Sequence, residues 1–327
     1  MIISRTPLRI TLGGGGTDLP SYYTKHGGLV VSMAIDKYIY LTYKPDPFEK
    51  KIKLRYSQLE SVSHASELKN HRARQVLLNH GITSECEINS CADLPSNTGL
   101  GSSGSFLVGL LNCVKESQRL NQEPKILAEE ACFIEIDQLK EPVGKQDQYI
   151  AAYGGIKALE INKNGEVNVS NVSIPEDLLF NFIPNLCVYY LNVKRDASDI
   201  LRDQQKLGGN SEGILNIVRS HGYKTIDLLL KGKFDEYGAL MDEYWQLKKQ
   251  LSNKITLPVV DEIYEHVKKT YNVLGGKIIG AGGGGFLLLY CNNSQNLLNE
   301  FMSSKGYSRL YFNIDLHGST ILGNFIK

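Results

Sequence analysis

A loop of glycine and serine that runs straight into an apolar segment is the feature that most constrains this chain. Residues 93–106 read DLPSNTGLGSSGSF. Apolar side chains recur at helical spacing from the end of this loop onward, at Phe106, Leu107, Leu110, Leu111 and Val114. Few side chains cover the backbone N–H groups of such a loop, and a helix N-terminus favours negative charge. The segment therefore predicts a phosphate site at the first turn of a buried helix.

Length and charge limit the class of protein. A chain of 327 residues predicts one large domain or two moderate ones. The formal net charge of +1, from 36 basic and 35 acidic residues, gives no general attraction for nucleic acid or for an anionic membrane. No apolar run approaches the length of a membrane span, and the opening MIISRTPLRITLGGGG has no signal-peptide pattern. We therefore expect a cytoplasmic protein whose partners are small molecules.

The order of predicted elements favours an α+β fold with two domains. Strands are predicted at 29–43 and 85–92, a helix at 124–139, and a hairpin that turns at Asn164 and Gly165. Further along the chain we predict a strand at 185–193, helices near 196–207, 211–231, 234–251 and 258–271, and strands at 277–280, 286–291 and 308–316. Because strands and helices do not alternate regularly, α+β is favoured over a doubly wound sheet. The domains are predicted at 1–183 and 184–327.

Two segments match the dinucleotide fingerprint G-x-G-x-x-G, but their contexts argue against that reading. DLPSNT separates the strand from the first glycine of the match at 99–104, and no acidic residue closes a second strand about 20 residues later. The match at 280–285 precedes a strand where the fingerprint needs a helix. The P-loop pattern G-x-x-x-x-G-K-[ST] is absent from the sequence. Three glycine-rich stretches therefore need another explanation, at 13–18, 99–105 and 280–285.

These three stretches resemble the three motifs of the GHMP kinases, the family of galactokinase and of homoserine, mevalonate and phosphomevalonate kinases. TPLRITLGGGGTDLPSYY resembles the first motif, DLPSNTGLGSSGSF the second and KIIGAGGGGFLLLY the third, in the family's order. The resemblance implies an N-terminal domain like ribosomal protein S5 domain 2 and a ferredoxin-like C-terminal domain, with the active site between them. Within the family, GGGGTDLPSYY followed by RDASDILRDQ is most similar to heptose 7-phosphate kinases, with L-fucokinases close by.

The resemblance implies which residues hold ATP and Mg²⁺. The second motif would cradle the ATP phosphates through Pro95, Gly99, Leu100, Gly101, Ser102, Ser103 and Gly104. Ser103 would bind the metal together with Glu135, because Mg²⁺ prefers hard oxygen ligands. Glu129, Glu130 and Asp137 remain alternatives to Glu135, and either serine could serve only as a helix cap.

The resemblance also implies the catalytic pair. Asp147, in GKQDQYIAAYGG, matches the family's Gly-x-x-Asp motif and is the candidate catalytic base. Arg9 aligns with the basic residue that keeps this carboxylate ionised and helps to neutralise the transferred phosphoryl group. Taken without the resemblance, Asp147 reads as a loop or capping residue and Arg9 as a surface strand residue.

Acceptor-binding residues are expected in three places. Gly15, Gly16, Thr17 and Asp18 match the sugar-binding end of the first motif, although an Asx turn would also explain Asp18. The third motif would bring backbone close to the substrate at Gly283 and Gly284. A phosphate on the acceptor would be bound by Lys194, Arg195 and Ser198. Pairing of the two cations with Asp196 and Asp199 on the surface is the alternative.

The predicted activity is ATP- and Mg²⁺-dependent phosphorylation of the anomeric hydroxyl of D-glycero-D-manno-heptose 7-phosphate, by a monomer or homodimer. A kinase for a free sugar such as L-fucose or galactose is the alternative within the same class. A non-catalytic sugar sensor on the same fold is the alternative from another class. The presence of Asp147, Arg9, Glu135 and the serine pair argues against the sensor.

Overall fold

The computed structural model describes residues 1–96, 98–193 and 209–326, which form two β-sheets with helices packed against them. The mixture of helices with largely antiparallel sheets agrees with the α+β prediction. Within these residues, no helix is both long enough and apolar enough to span a membrane.

The larger sheet contains eight strands built around two long antiparallel ones. Its strands are β1 (Ile2–Gly13), β2 (Gly28–Pro45), β3 (Ile52–Arg55), β4 (Leu59–Val62), β5 (Cys86–Ala92), β6 (Ile156–Ile161), β7 (Val167–Asn171) and β12 (Thr320–Asn324). The order is β12-β1-β2-β5-β3-β4, and β6 pairs with both β2 and β7. The first part of β2 pairs with β6 and the last part with β5, so one strand joins two portions of the sheet.

The smaller sheet has the ferredoxin-like strand order. Its strands are β8 (Leu186–Tyr190), β9 (Val273–Ile278), β10 (Phe286–Cys291) and β11 (Ser308–Leu310). They lie in the order β11-β8-β10-β9, and each neighbouring pair is antiparallel. Numbered along the chain this is 4-1-3-2, as the resemblance implies.

The helices are α1 (Pro20–His26), α2 (His71–Asn79), α3 (Ser102–Gln118), α4 (Pro124–Cys132), α5 (Gln146–Tyr153), α6 (Glu176–Phe182), α7 (Gly209–Leu230), α8 (Phe234–Lys249), α9 (Pro258–Tyr271) and α10 (Gln295–Ser304). Helix α3 packs on β1 and β2. The five apolar residues that predicted a buried helix lie in α3, and all five are buried. Burial of each such side chain contributes about 1.5–3 kcal/mol, which fixes the start of this helix relative to the sheet.

The structure corrects four predicted elements. The strand predicted at 277–280 lies earlier in the chain and spans Val273–Ile278, because the glycines from 280 onward form turns. The predicted helix at 124–139 is α-helical only as far as Cys132 and continues as a wider π-helical turn, Phe133–Gln138. The predicted strand at 185–193 ends at Tyr190. The predicted strand at 308–316 ends at Leu310, because the following residues cross to the larger sheet, where the Asp315 N–H donates to the Ala34 carbonyl at 3.0 Å.

Strand β12 was not predicted, and it returns the end of the chain to the larger sheet beside β1. The helix predicted at 196–207 lies outside the described residues, since 194–208 are not described. The boundary at 183 remains a prediction.

Candidate active site

A cavity brings together residues that are far apart in the sequence. One wall comes from β1 and the loop after it, from the start of α3, and from residues 143–147. The opposite wall comes from the end of α8 and from the segment 277–281 that leaves β9. The predicted site residues on its surface are Arg9, Gly15, Gly16, Asp18, Gly99, Gly101, Ser102, Ser103 and Asp147.

The phosphate loop has the geometry that an anion requires. Gly99 and Gly101 have φ values of +84° and +78°, in the left-handed region that favours glycine. Gly101 is the N-cap of α3 and no side chain caps the helix there, so the first N–H groups of α3 remain available. Ser102 and Ser103 line the cavity at the same point. These residues fit the phosphates of a nucleotide.

The second and third glycine motifs are in direct backbone contact. A Cβ atom on Gly280 would lie 2.7 Å from the Gly99 carbonyl oxygen, and one on Gly99 would overlap the Ile279 carbonyl. Of the glycine-rich stretch 280–285, Gly280 and Ala281 lie on the cavity surface. Close backbone approach therefore explains why the third motif is so rich in glycine.

The two glycines predicted to approach the substrate pack elsewhere. The Gly283 N–H donates to the Ile255 carbonyl at 2.7 Å, and a Cβ atom on Gly284 would lie 2.7 Å from the Val193 carbonyl oxygen. Neither residue is part of the cavity lining. The geometry gives both glycines a packing function.

Arg9 and Asp147 form an ion pair at the start of α3. The Arg9 Nε donates to Asp147 Oδ1 at 2.8 Å, and Arg9 Nη1 donates to the Gly99 carbonyl at 2.5 Å. Asp147 Oδ2 makes no hydrogen bond with the residues that the structure describes. Gly104 lets the helix approach, because a Cβ atom there would lie 2.8 Å from the Asp147 Cβ. One carboxylate oxygen is thus held by the guanidinium and the other is available to a substrate.

Asp18 is a buried carboxylate whose position depends on Gly144. The Asp18 Oδ2 accepts from the Gln146 N–H at 3.1 Å, and Oδ1 accepts from the Gly16 N–H at 3.2 Å. A Cβ atom on Gly144 would overlap the carboxylate. Burial raises the pKa of Asp18, and the negative charge of Asp147 raises it further. A hydroxyl-bearing ligand that entered the cavity would find both carboxylates on its wall.

Several predicted residues support the site from outside the cavity. Thr17 is fully buried and its hydroxyl donates to the Gly14 or Leu29 carbonyl at 2.8 Å, so it stabilises the first glycine loop. The Pro95 carbonyl accepts from the Thr98 hydroxyl at 2.9 Å, and the buried Leu100 carbonyl accepts from the Arg9 N–H at 3.0 Å. These residues shape the loops rather than face the cavity.

The Glu135 carboxylate does not line the cavity. The Arg72 Nε donates to its Oε1 at 2.6 Å and the Gln148 Nε2 donates to its Oε2 at 2.5 Å. Burial raises the pKa of Glu135, and Arg72 opposes that shift. Among the described residues, no group of three His, Cys, Asp or Glu side chains is arranged to hold a metal. Ser103 lines the cavity, whereas Glu135 could bind a metal there only if Arg72 and Gln148 released its carboxylate.

Two buried lysines on the cavity wall were missed. Lys248, near the end of α8, donates to the Gly280 carbonyl at 2.5 Å. Lys277, on β9, donates to the Leu12 carbonyl at 3.3 Å and lies 4.6 Å from the centre of the Tyr244 ring. Lys277 is the first residue of the segment that resembles the third motif, which was a usable signal. Lys248 lies among the charged residues of an amphipathic helix, and nothing in its sequence neighbourhood distinguishes it from a surface lysine.

Lys194, Arg195 and Ser198 lie outside the described residues, so their predicted contact with an acceptor phosphate stays a prediction.

Comparison with known families agrees with this geometry. The GHMP kinases N terminal domain matches residues 65–155, and the GHMP kinases C terminal domain matches residues 225–307. The chain belongs to the GHMP kinase family. As a GHMP kinase it is a phosphotransferase with an alcohol acceptor, and the family, the two-domain fold and the enzyme class predicted from the sequence are confirmed.

Similar proteins include kinases of heptose phosphates and of fucose. The chain is 25% identical to a D-glycero-alpha-D-manno-heptose 7-phosphate kinase of Campylobacter jejuni, with 94% of each chain covered. It is 24% identical to an L-fucokinase/L-fucose-1-P guanylyltransferase of Bacteroides fragilis, over 90% of this chain and 35% of that protein. The structure of a D-glycero-D-manno-heptose 1-phosphate kinase from Bacteroides thetaiotaomicron superposes with a TM-score of 0.82, at 21% identity and full coverage of both chains.

Proposed function

We propose that this GHMP kinase transfers the γ-phosphoryl group of ATP to the anomeric hydroxyl of D-glycero-D-manno-heptose 7-phosphate. The product is heptose 1,7-bisphosphate, an intermediate suited to the synthesis of nucleotide-activated heptose for surface polysaccharides. The observation that carries the proposal is the Arg9–Asp147 pair at the uncapped start of α3, with Asp18 on the wall of the same cavity. The similarity to a heptose 7-phosphate kinase along 94% of the chain supports the choice of sugar.

The side chains of the cavity suit an in-line transfer. The anomeric oxygen of the acceptor attacks the γ-phosphorus, the bond from that phosphorus to the β–γ bridging oxygen breaks, and ADP leaves. Asp147 Oδ2 accepts the proton of the hydroxyl, while Arg9 keeps the carboxylate in place through Oδ1. Asp18 holds neighbouring hydroxyls of the sugar, which fixes the direction of attack.

The same residues fit a nucleotide and its metal. The N–H groups at the start of α3 receive the phosphates, and the Ser103 hydroxyl is the metal ligand best placed on the cavity wall. Bound Mg²⁺ would neutralise charge that develops on the phosphate oxygens. Glu135 remains the second ligand of the proposal.

Val193, the last described residue before the segment predicted to bind the acceptor phosphate, lies beside the third glycine motif. The Gly285 N–H donates to the Val193 carbonyl at 2.7 Å, which ties the residue before Lys194 to this motif. A phosphate carries about two negative charges near neutral pH, and arginine binds its oxygens through two parallel hydrogen bonds. We therefore retain Lys194, Arg195 and Ser198 as the proposed partners of the 7-phosphate.

Acceptor preference tests the proposed substrate. We expect kcat/KM for heptose 7-phosphate to exceed that for free heptose, mannose, L-fucose and galactose, measured as ADP release. Arg195→Ala should raise KM for heptose 7-phosphate by about 10- to 100-fold and leave KM for ATP unchanged, because one charged hydrogen bond is lost. Arg202→Ala, in the same segment, is the control.

Heptose 1-phosphate must be tested beside these acceptors. One similar protein is named a heptose 7-phosphate kinase and the other a heptose 1-phosphate kinase, so the two names differ in the position of the phosphate that the acceptor already carries. Equal turnover of free hexoses would replace the heptose proposal with a free-sugar kinase. A preference for heptose 1-phosphate would exclude transfer to the anomeric hydroxyl.

The metal ligands can be tested by titration with Mg²⁺. Ser103→Ala should raise the Mg²⁺ concentration for half-maximal rate by at least about tenfold, since removal of even an outer-shell partner commonly weakens metal binding by that factor. Glu135→Gln should raise it as well if Glu135 binds the metal. Ser117→Ala, at the far end of α3, and Asp137→Asn are the matched controls, since neither residue lines the cavity.

The position of Glu135 adds a second measurement to that titration. Because Glu135 is buried against Arg72, Glu135→Gln should also lower the melting temperature. A lower melting temperature with an unchanged Mg²⁺ titration would remove Glu135 from the metal site and leave it a structural role. Unchanged titrations in both variants would mean that the metal binds elsewhere.

A further inference from the structure

Lys248 is a buried cation on the cavity wall to which the transfer step described above gives no role. Only 7% of the Lys248 surface is exposed. Its ammonium donates a hydrogen bond to the Gly280 carbonyl at 2.5 Å. No carboxylate in the described ranges forms an ion pair with it. Burial, together with the charge of Arg9, lowers the pKa of Lys248 to about 8, and the charge of Asp18 opposes that shift. A buried ammonium without a paired carboxylate is costly unless a ligand compensates its charge.

The ammonium of Lys248 lies at the junction of two glycine loops. Its acceptor, Gly280, is in backbone contact with Gly99 of the phosphate loop. The Gly99 carbonyl in turn accepts from Arg9 Nη1 at 2.5 Å. Lys248 and Arg9 therefore bond to two carbonyls in adjoining loops, one from each wall of the cavity, and Arg9 also holds Asp147. Both cations thus lie close to the place where the phosphate loop and the catalytic base meet.

The neighbouring lysine is bound differently. The Lys277 ammonium has a carbonyl partner on β1 and an aromatic face, the Tyr244 ring, at 4.6 Å. Lys248 lies 5.8 Å from the same ring, at the outer limit of such a contact. The wall carries three basic side chains, Arg9, Lys248 and Lys277, beside the two carboxylates Asp18 and Asp147. Burial and the charges of Lys248 and Arg9 lower the pKa of Lys277 well below its ordinary value, so the positive charge of the wall comes chiefly from Arg9 and Lys248.

We propose that Lys248 is a catalytic residue that contacts the γ-phosphoryl group during transfer and stabilises its charge from the wall opposite Arg9. The inference rests on the proposed kinase reaction, in which the γ-phosphorus exchanges its bond to the bridging oxygen for one to the acceptor oxygen. While the phosphoryl group moves from the bridging oxygen to the acceptor oxygen, the negative charge on its other oxygens must be stabilised. The Lys248 ammonium reaches this place while it donates to the Gly280 carbonyl.

Lys248→Gln tests the charge of this residue separately from its hydrogen bond. Glutamine can still donate to the Gly280 carbonyl but has no charge, whereas Lys248→Arg keeps a charge. Lys249→Met is the matched control, because Lys249 is adjacent on α8 and pairs with Asp261 at 3.3 Å, away from the cavity lining. We expect Lys248→Gln to lower kcat by about 10- to 100-fold with both KM values within about threefold. Lys248→Arg should recover most of this loss.

A binding measurement without turnover gives the second readout. ADP with fluoroaluminate and Mg²⁺ imitates the phosphoryl group in transfer, and calorimetry compares its affinity with that of ADP alone. The wild type should gain affinity from fluoroaluminate, and Lys248→Gln should lose most of that gain while it binds ADP normally. An unchanged gain, or the same loss in Lys249→Met, would overturn the proposal.

The kinetic pattern separates this inference from its main competitor. A raised KM for the acceptor with normal kcat would assign Lys248 to an anionic group of the acceptor and overturn the catalytic role. If no sugar or sugar phosphate is turned over by the wild type, the proposed function fails, and the fluoroaluminate measurement alone then decides the role of Lys248.

Discussion

Asp147→Asn should lower kcat by about 10²–10⁴-fold, because it removes the group that accepts the proton of the acceptor hydroxyl. The substitution preserves the shape of the side chain, and the amide oxygen can still accept from Arg9 Nε. ATP affinity should therefore survive, and KM for the acceptor should change little. Steady-state rates of ADP release, with ATP binding followed by calorimetry, measure both quantities.

Asp177→Asn is the matched control for this experiment, since Asp177 is an exposed carboxylate in the first turn of α6, outside the cavity lining. It should leave kcat unchanged. A kcat of Asp147→Asn within a few-fold of the wild type would remove Asp147 from the role of catalytic base.

Arg9→Met should lower kcat by about 10²–10³-fold, comparable to the removal of one donor that stabilises a transition state. The change removes the ion pair with Asp147 and the hydrogen bond to the Gly99 carbonyl. Arg5→Met is the matched control, because Arg5 lies on the same strand but stacks over the Tyr38 ring at 4.5 Å, outside the cavity lining. Its kcat should match that of the wild type.

The double variant Arg9→Met with Asp147→Asn shows whether the pair acts as a unit. Groups that act together give losses that do not add, so the double variant should lose little more than the worse single variant. Losses that multiply in full would show that the two residues act independently, and Arg9 would then be a loop-stabilising residue only.

The parts of the site that were predictable are those encoded by local sequence. A glycine loop followed by an apolar helical pattern predicted the start of α3, because φ values near +80° and a buried helix face both leave a signal in the chain. The resemblance to the family then brought Arg9, Asp18 and Asp147 together, and all three lie on the cavity wall.

The parts that were missed depend on contacts between distant segments. Gly144 is needed because Asp18, more than a hundred residues earlier, occupies the space of its side chain. Lys248 becomes a cavity residue only because α8 packs on β9, which local periodicity does not reveal. Strand β12 forms because β1 offers it an edge. Glu135 matched the spacing of a metal ligand, while its observed partners, Arg72 and Gln148, come from other helices.

The most direct test of the proposed reaction is identification of the product. Heptose 7-phosphate should be incubated with ATP and Mg²⁺, and the product examined by ³¹P NMR with coupling to protons. We predict a second phosphate signal coupled to the anomeric proton, with one ADP formed for each phosphate transferred and no such signal from Asp147→Asn. A new phosphate coupled to any other sugar proton, or ADP formation without a phosphorylated sugar, would contradict the account.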